Sequence, residues 1–308
     1  MRLPELLVQV ARRAKGRTAF EELDEMSFDD DWIAEVRAAP ADDEVARTIE
    51  RWLDDPLTAA LVPFAATWAE HKFPRLSIGA KLASSLMATA MDRASAAQLR
   101  LPWPAMLVEL PEDVVFGTGA GGKPEAMRIL LAWTFRTGEV GFRVLSAGGS
   151  AWAMRSCGWS ELGEELGGEA VGVGPALASI EQRSLLLARR VLLGICASLV
   201  GERSTGRRST RPPPPGTVRG TARPPSRSKP PPPAHAPKNI AVRLPRSLGF
   251  DCRALVRAYA LGERAPSSAT TIHRGTWRRA ADGGAWSWVE PYGSGTTPTS
   301  VTMRVLKS

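Results

Sequence analysis

Hydrophobic residues recur every three or four positions through the first hundred residues, which is the period of an α-helix. In MRLPELLVQVARRAKG, Leu3, Leu7 and Val10 fall on one side, and Pro4 suits a first helical turn. In ADDEVARTIERWLDD the apolar residues that share a side are Val45, Ile49, Trp52 and Leu53. This pattern predicts that the chain is mainly helical up to about residue 98.

From about residue 103 the pattern changes to the period of two that is typical of β-strands. WPAMLVELP, DVVFG, RILLAWTF and VGFRVLS are short runs of this kind, and the turn Thr137-Gly138-Glu139 predicts a hairpin between the last two. The helical period returns in ALASIEQRSLLLARRVLLGICASLV and predicts a long helix. Helices, then a mainly antiparallel sheet, then a helix indicate an α+β fold.

Charge and proline divide the chain into three segments. Residues 1–202 have a net charge of −7, residues 203–238 carry nine basic and no acidic residues, and residues 239–308 have a net charge of +6. Eleven of the 25 prolines lie in 203–238, where Val218 is the one sizeable apolar residue. Such a segment cannot bury enough surface to offset its ordering entropy, so we predict a disordered, partly polyproline-II linker between an α+β N-terminal lobe and a small C-terminal module.

The C-terminal module, 239–308, is predicted to contain a short helix near residue 255 and a β-hairpin. Two β-capable runs, 270–279 and 285–290, flank the turn signal Asp282-Gly283-Gly284. Alternation assigns His273, Trp277 and Arg279 to one face of the first strand and Arg274 and Arg278 to the other. On the second strand Trp286, Trp288 and Glu290 share a face. Whether this module docks on the acidic lobe is open from the sequence.

Three interpretations of the hairpin compete. Arginines interleaved with Trp277, Trp286, Trp288 and Tyr292 could form a cationic platform on which unpaired bases stack. The tryptophans could instead form the core of the small module, with the arginines at its rim. A third interpretation makes His273 a general base near Glu290 and Arg278, as in a small nuclease.

Motifs for nucleotide, metal or thiol chemistry are weak. The spacing G-x-x-x-x-G-K occurs at 117–123, but Pro124 replaces the magnesium-binding Ser or Thr, and a strand pattern follows where a phosphate loop requires a helix. The aspartates at 29–31 are consecutive at a helix start and indicate a cap rather than a metal site. We therefore expect neither a metal nor a cofactor, and a protein that is not an enzyme.

Cysteine usage and hydropathy indicate the compartment. The cysteines Cys157, Cys196 and Cys252 lie far apart without metal-ligand spacing, which favours a reducing setting. The N-terminus lacks the apolar stretch of a secretory signal, and Arg189 and Arg190 interrupt the most apolar segment. These features predict a cytoplasmic protein that does not contact a membrane.

The C-terminal pattern I-H-R-G-T-W-R-R, followed by W-x-W-V-E-P-Y and a glycine, resembles an element of uncharacterised bacterial proteins of phage and mobile-element type. Their first strand reads V-R-G-H-W-R and their second W-I-x-P-Y-x-x-G, and Leu99–Pro111 is similar to an upstream proline-bounded strand in them. The similarity covers about 40 to 50 residues and departs at Thr276, where histidine is usual. It implies a setting and an architecture rather than a chemistry.

Together these features predict a non-enzymatic binding or regulatory protein that contacts nucleic acid non-specifically through the basic linker and the C-terminal hairpin. The expected contact residues are Arg207, Arg208, Arg211, Arg219, Arg274, Trp277, Arg278, Arg279, Trp286 and Trp288. One alternative is a protein–protein interaction scaffold that uses the proline-rich segment or the acidic lobe. The other is a toxin-like enzyme or nuclease that uses His273.

Overall fold

The computed structural model describes residues 3–21, 25–111, 116–118, 124–146, 151–153, 156–164, 179–204, 239–243, 251–262, 272–279, 286–293, 300–301 and 304–307. Most of the basic linker, 205–238, lies outside the described residues, as do the tip of the C-terminal hairpin and the glycine-rich segment 165–178.

Helices dominate the first hundred residues and recur beside the later strands. They are α1 (Leu3–Ala14), α2 (Asp30–Arg37), α3 (Glu44–Leu53), α4 (Leu61–Glu70), α5 (Ala80–Met87), α6 (Arg93–Ala96), α7 (Trp159–Leu162), α8 (Ile180–Ser204) and α9 (Arg253–Leu261). Asp29 caps α2 by accepting a hydrogen bond from the Trp32 amide at 2.9 Å, which confirms the predicted cap. No helix in the described ranges is both long and apolar enough to cross a membrane.

The strands are short, apart from the two of the central hairpin. They are β1 (Thr18–Phe20), β2 (Met26–Phe28), β3 (Arg75–Ser77), β4 (Thr89–Ala90), β5 (Ala105–Glu109), β6 (Phe116–Thr118), β7 (Pro124–Thr134), β8 (Val140–Ser146), β9 (Ala151–Ala153), β10 (Asn239–Arg243), β11 (Ile272–His273), β12 (Gly275–Arg279), β13 (Trp286–Val289), β14 (Tyr292–Gly293), β15 (Ser300–Val301) and β16 (Arg304–Lys307).

The main sheet is mixed, with the strand order β16-β10-β3-β5-β7-β8-β9. Strand β3 pairs in parallel with both β5 and β10, whereas β5, β7, β8 and β9 follow one another antiparallel. The predicted combination of helices with a largely antiparallel sheet is therefore confirmed. The parallel pairing of β3 with β5 and β10 was not predicted. A strand of three residues has no measurable period, so the sequence pattern could not reveal β3.

Hydrophobic side chains cover both faces of the main sheet. Alternation in β5 turns Leu107 toward α1–α4, while Met106 and Val108 face α5, α8 and α9. Residues 105–108 are all buried, as expected for a strand with a layer on each side. The structure thus has three layers, with helices on both sides of the sheet.

The C-terminal segment belongs to the same body as the N-terminal lobe. Strand β10 extends the main sheet beside β3, and β12 pairs in parallel with β4 as well as antiparallel with β13. A Cβ added to Gly194 of α8 would lie 2.7 Å from Leu86 and 3.4 Å from Trp277, so these elements pack tightly. The segments that the sequence separates as 1–202 and 239–308 share two sheets and one core, which answers the question of docking.

Other sequence predictions are confirmed where residues are described. Strands β7 and β8 form the predicted hairpin, α8 is the predicted long helix, and β12 and β13 pair antiparallel. The chain after the G-x-x-x-x-G-K stretch is the strand β7, which pairs antiparallel with β6. A phosphate loop requires a helix in that position, so the rejection of that motif holds.

Candidate functional site

The residues predicted to contact nucleic acid fall into three groups in the structure. The linker arginines Arg207, Arg208, Arg211 and Arg219 lie outside the described residues. Arg278 and Arg279 lie on β12, but their side chains are not among those described. The structure therefore locates the side chains of Arg274 and of the three tryptophans.

The three tryptophans lie in the hydrophobic core. Trp288 is fully buried, and Trp277 and Trp286 are each 6% exposed. The rings of Trp277 and Trp288 stack at 5.8 Å and 17°, and the indole nitrogen of Trp288 donates a hydrogen bond to Thr89 Oγ1 at 2.9 Å. Their faces already contact protein, so a base could stack on them only if the core opened. This burial favours the interpretation in which the tryptophans form a core. That core is shared with the N-terminal lobe and is not confined to a small module.

Gly275, in the H-R-G-T-W stretch, permits this packing. A Cβ at this position would lie 2.4 Å from Thr89 Oγ1 and 2.9 Å from both the Val289 carbonyl oxygen and Pro291 Cδ. Because two of these neighbours are held by strand pairing, they cannot move away cheaply. The absence of a side chain at Gly275 therefore allows β12 to lie close to β4.

His273 and Glu290 have different surroundings. The imidazole of His273 is exposed and stacks on the Tyr292 ring at 4.6 Å, consistent with the pairing of β11 and β14. Glu290 is 5% exposed, on the buried side of the hairpin with the tryptophans. The stacked His273–Tyr292 pair thus lies at the surface, whereas Glu290 lies in the interior.

Beside the C-terminal hairpin the structure assembles a group of buried charges. Glu164 follows α7 and accepts two hydrogen bonds from Arg190 of α8, from Nε at 2.7 Å and from Nη2 at 2.6 Å. The third nitrogen of Arg190 donates to the Met87 carbonyl at 3.0 Å. Arg274 Nη1 lies 3.7 Å from the same Glu164 carboxylate. Two guanidinium groups thus share one carboxylate, and we call Glu164, Arg189, Arg190 and Arg274 the arginine cluster.

Arg189 adds a third guanidinium to the arginine cluster. Its Nε atom is buried and has no hydrogen-bond partner among the described residues. Burial lowers the pKa of Arg189, while the charge of Glu164 acts in the opposite direction and that of Arg190 adds to the lowering. The guanidinium nevertheless remains charged at neutral pH, because arginine side chains are not deprotonated in proteins. Among the described residues, the arginine cluster thus places three arginines near the carboxylate of Glu164.

The pKa of Glu164 is set by two opposing effects. Burial alone would raise the pKa, but the hydrogen bonds and charge of Arg190, helped by Arg189 and Arg274, outweigh it and leave the pKa below its usual value. Asp92, whose backbone pairs with Glu164, uses its carboxylate to bind Ser95 through the amide and the hydroxyl, both at 2.7 Å. It caps α6 and does not neutralise the arginines directly.

The remaining polar features give less support for a site. Burial raises the pKa of the Cys252 thiol to about 12 and also raises that of Cys196, so neither is a nucleophile at neutral pH. In the described part of the chain no three His, Cys, Asp or Glu side chains are grouped as metal ligands. A cavity of about 260 Å³ beside Trp159 is open to solvent, and its Arg100 hydrogen-bonds the nearby Ala97 carbonyl.

The arginine cluster was not recognised from the sequence, although a signal was present. Two adjacent arginines inside an apolar helix must find partners or water, because burying an unpaired charge is costly. In the sequence, Arg189 and Arg190 indicate by themselves only that the apolar segment does not span a membrane. Glu164 had no signal, since it follows a short helix in a glycine-rich stretch.

Comparison with known proteins gives no match to a protein-family model, to a curated protein or to a solved structure.

Proposed function

We propose that this is a cytoplasmic, non-enzymatic binding protein whose basic linker, 203–238, contacts nucleic acid without sequence preference. The charge distribution carries the proposal: nine basic residues and no acidic residue lie within 36 positions, whereas residues 1–202 have a net charge of −7. Neutralising phosphates with Lys and Arg releases condensed counterions, which drives binding to any nucleic acid. The resemblance of the C-terminal element to phage and mobile-element proteins fits such a setting.

The anchoring of the linker supports this role. The linker follows α8 and precedes β10 in the chain. Both of these elements belong to the packed body. The nine basic residues of this segment thus enter and leave a body whose net charge is close to zero, −7 for residues 1–202 and +6 for residues 239–308. In this proposal Trp277, Trp286 and Trp288 support the body, and the linker arginines, with Arg278 and Arg279 of the hairpin, supply the contacts.

The test is fluorescence anisotropy of the full chain with labelled duplex DNA, single-stranded DNA and RNA at 50 and 200 mM salt. The matched variants change four arginines to glutamine. One carries the changes in the linker, at Arg207, Arg208, Arg211 and Arg219, and the control carries them on exposed sites of the body, at Arg12, Arg51, Arg93 and Arg100. Both variants lose the same charge, so they separate the position of the arginines from net charge.

We expect affinity to fall steeply with salt, and the linker variant to reduce the slope of log K against log salt by about four, one for each lost cation. Duplex DNA should bind at least as tightly as single strands, since it has the higher charge density. An equal loss of affinity in the linker variant and in the body control would refute a binding site in the linker. Absence of binding at 50 mM salt would favour the scaffold alternative, in which the proline runs contact a protein with aromatic grooves.

A further inference from the structure

We propose that the stacked rings of His273 and Tyr292 form a platform for an unpaired nucleobase, so that the C-terminal hairpin contacts single-stranded nucleic acid. We call this pair of residues the His–Tyr platform. The inference rests on the proposed nucleic-acid binding and deepens it. The basic linker contacts the phosphates of any nucleic acid, whereas the platform selects strands whose bases are free to stack.

The His–Tyr platform lies at the end of an aromatic ladder in the hairpin. Trp277 pairs with Trp288 in β12 and β13, and His273 pairs with Tyr292 in β11 and β14. Both pairings have the same register, so the strands form one hairpin, and Pro291, which has no amide hydrogen to donate, lies where the ladder is interrupted. Because His273 precedes Trp277 by four positions, alternation places both on the same face of the hairpin.

The two aromatic pairs differ in exposure. The Trp277–Trp288 pair is buried in the core, whereas His273 is exposed and Tyr292 is partly exposed. The rings of His273 and Tyr292 lie 4.6 Å apart at 17°, so each ring uses one face against the other. The rest of the imidazole surface faces solvent, because the residue as a whole is exposed. Strand pairing thus holds a flat aromatic surface in place in advance, which lowers the entropic cost of binding.

The charge of the surrounding chain identifies the occupant. Residues 239–308 have a net charge of +6, and Arg278 and Arg279 follow His273 in the same arm of the hairpin. At about 3.3 Å per residue these two positions lie roughly 17–20 Å from His273, a distance that about five or six nucleotides span at 3.4 Å each. A single strand with one base on the platform would place its phosphates along this basic arm. A neutral peptide would leave the positive charge unused.

Stacking on the platform requires a base with a free face. In a duplex, both faces of each internal base are covered by its neighbours. In a single strand these faces open easily, and aromatic side chains stack on them whatever the base. The His–Tyr platform therefore predicts a contact that is selective for single strands and not for sequence. Since stacking does not involve the sugar, single-stranded DNA and RNA of one sequence should respond alike.

The test is fluorescence anisotropy of the full chain with ten-nucleotide single-stranded DNA and RNA and with a DNA duplex of the same sequence, at 50 and 500 mM salt. High salt weakens the phosphate contacts of the linker, so a stacking contact is measured best at 500 mM. The test variants are His273→Ala and Tyr292→Ala, and His273→Phe keeps a ring. The control is His71→Ala, which removes a partly exposed histidine at the end of α4. Thermal unfolding followed by circular dichroism shows whether each variant folds.

We expect His273→Ala and Tyr292→Ala each to weaken single-strand binding about tenfold at 500 mM salt and to leave duplex binding unchanged. His273→Phe should bind single strands as the wild type does, since stacking needs a ring rather than an imidazole. A 2-aminopurine base in the oligonucleotide should lose fluorescence on binding the wild type and keep it with His273→Ala. Equal losses of duplex and single-strand affinity would overturn the proposal, and so would an equal effect of the His71→Ala control.

The linker variant, with glutamine at Arg207, Arg208, Arg211 and Arg219, separates this inference from the proposed function. Absence of single-strand binding by the wild type at 500 mM salt, while the linker variant loses duplex affinity at 50 mM, overturns the platform and keeps the linker function. Normal duplex binding by the linker variant, while His273→Ala loses single-strand affinity, keeps the platform and overturns the linker function. Both contacts stand if each variant loses the affinity expected of it.

Discussion

The carboxylate of Glu164 has two arginine neighbours in the structure, so its loss should destabilise the protein strongly. It binds Arg190 bidentately and lies near Arg274, and both side chains are largely buried. Removing it would leave buried guanidinium groups uncompensated. That penalty exceeds the net value of the ion pair itself, because desolvation of the remaining charge is no longer offset.

Glu164→Gln is therefore expected to lower the free energy of unfolding at pH 7 by about 3–5 kcal/mol. The folded-state pKa of Glu164 lies below its ordinary value of 4.5, so its stabilisation is fully present above that pH and is lost as the pH falls through the folded pKa. The difference between wild type and variant should thus shrink below pH 4.5. Urea unfolding at pH 7, 5, 4 and 3 measures it, with exposed Glu70→Gln as control. A difference that stays constant down to pH 3 would contradict this assignment.

Gly141 gives a second prediction at the scale of one residue. It pairs with Trp133 across β7 and β8, and a Cβ there would lie 2.6 Å from the indole. Since the indole is buried and stacks on Phe20, Gly141→Ala should cost about 1–3 kcal/mol. Gly79→Ala, where no atom lies within 4 Å of the added Cβ, should cost less than about 1 kcal/mol. Equal effects in denaturant unfolding would show that the indole moves aside freely.

At the scale of elements, the parallel pairing of β12 with β4 joins residues that are 186 positions apart in the sequence, Gly275 and Thr89. Two contacts hold it: Gly275 approaches the Thr89 hydroxyl closely, and Trp288 of β13 donates its indole hydrogen to the same hydroxyl. The hydroxyl in turn donates to the Ser85 carbonyl at 2.7 Å at the end of α5. One threonine thus connects a helix and two strands.

A double-mutant cycle with Trp288→Phe and Thr89→Val measures this connection. Each single change removes the indole–hydroxyl hydrogen bond and should destabilise the protein, and the double variant should be more stable than additivity predicts by about 1 kcal/mol. Chemical denaturation followed by circular dichroism gives the four free energies. Additive effects would mean that the Trp288–Thr89 hydrogen bond contributes nothing to the free energy of unfolding.

The elements also show what the sequence could and could not predict. The β7–β8 hairpin was predicted because long alternation and a Thr-Gly-Glu turn are local signals, and α8 because its apolar run is long. Strand β3 and the pairing of β12 with β4 depend on contacts that are far apart in sequence. The arginine cluster is of the same kind, since Glu164 and Arg274 meet only through tertiary packing. Local pattern specifies elements, whereas the site depends on their arrangement.

At the scale of the whole molecule, the C-terminal segment completes the core of the N-terminal one. Trp277, Trp286 and Trp288 pack in the same cluster as α5 and α8. Residues 1–202 alone would expose the surface that these tryptophans cover and the open edge of β3.

We therefore expect a fragment of residues 1–202 to lack a cooperative unfolding transition, and an added fragment of residues 239–308 to restore it. Near-ultraviolet circular dichroism and denaturant titration of the separate and mixed fragments measure this. The full chain with residues 205–238 replaced by a glycine–serine segment of equal length is the control, and it should unfold like the wild type. Cooperative unfolding of the 1–202 fragment at full-length stability would show two independent domains instead.

The parallel pairing of β10 with β3 has a consequence for biosynthesis. The partner of residues 75–77 is residues 239–241, so more than 160 residues must be translated after β3 before its edge can be covered. At about 5–20 residues per second, that edge and the apolar surface beside it stay open for roughly 8–30 seconds on the ribosome. An unpaired strand edge is a template for aggregation. The nascent chain should accordingly be a client of ribosome-associated chaperones until its last seventy residues emerge.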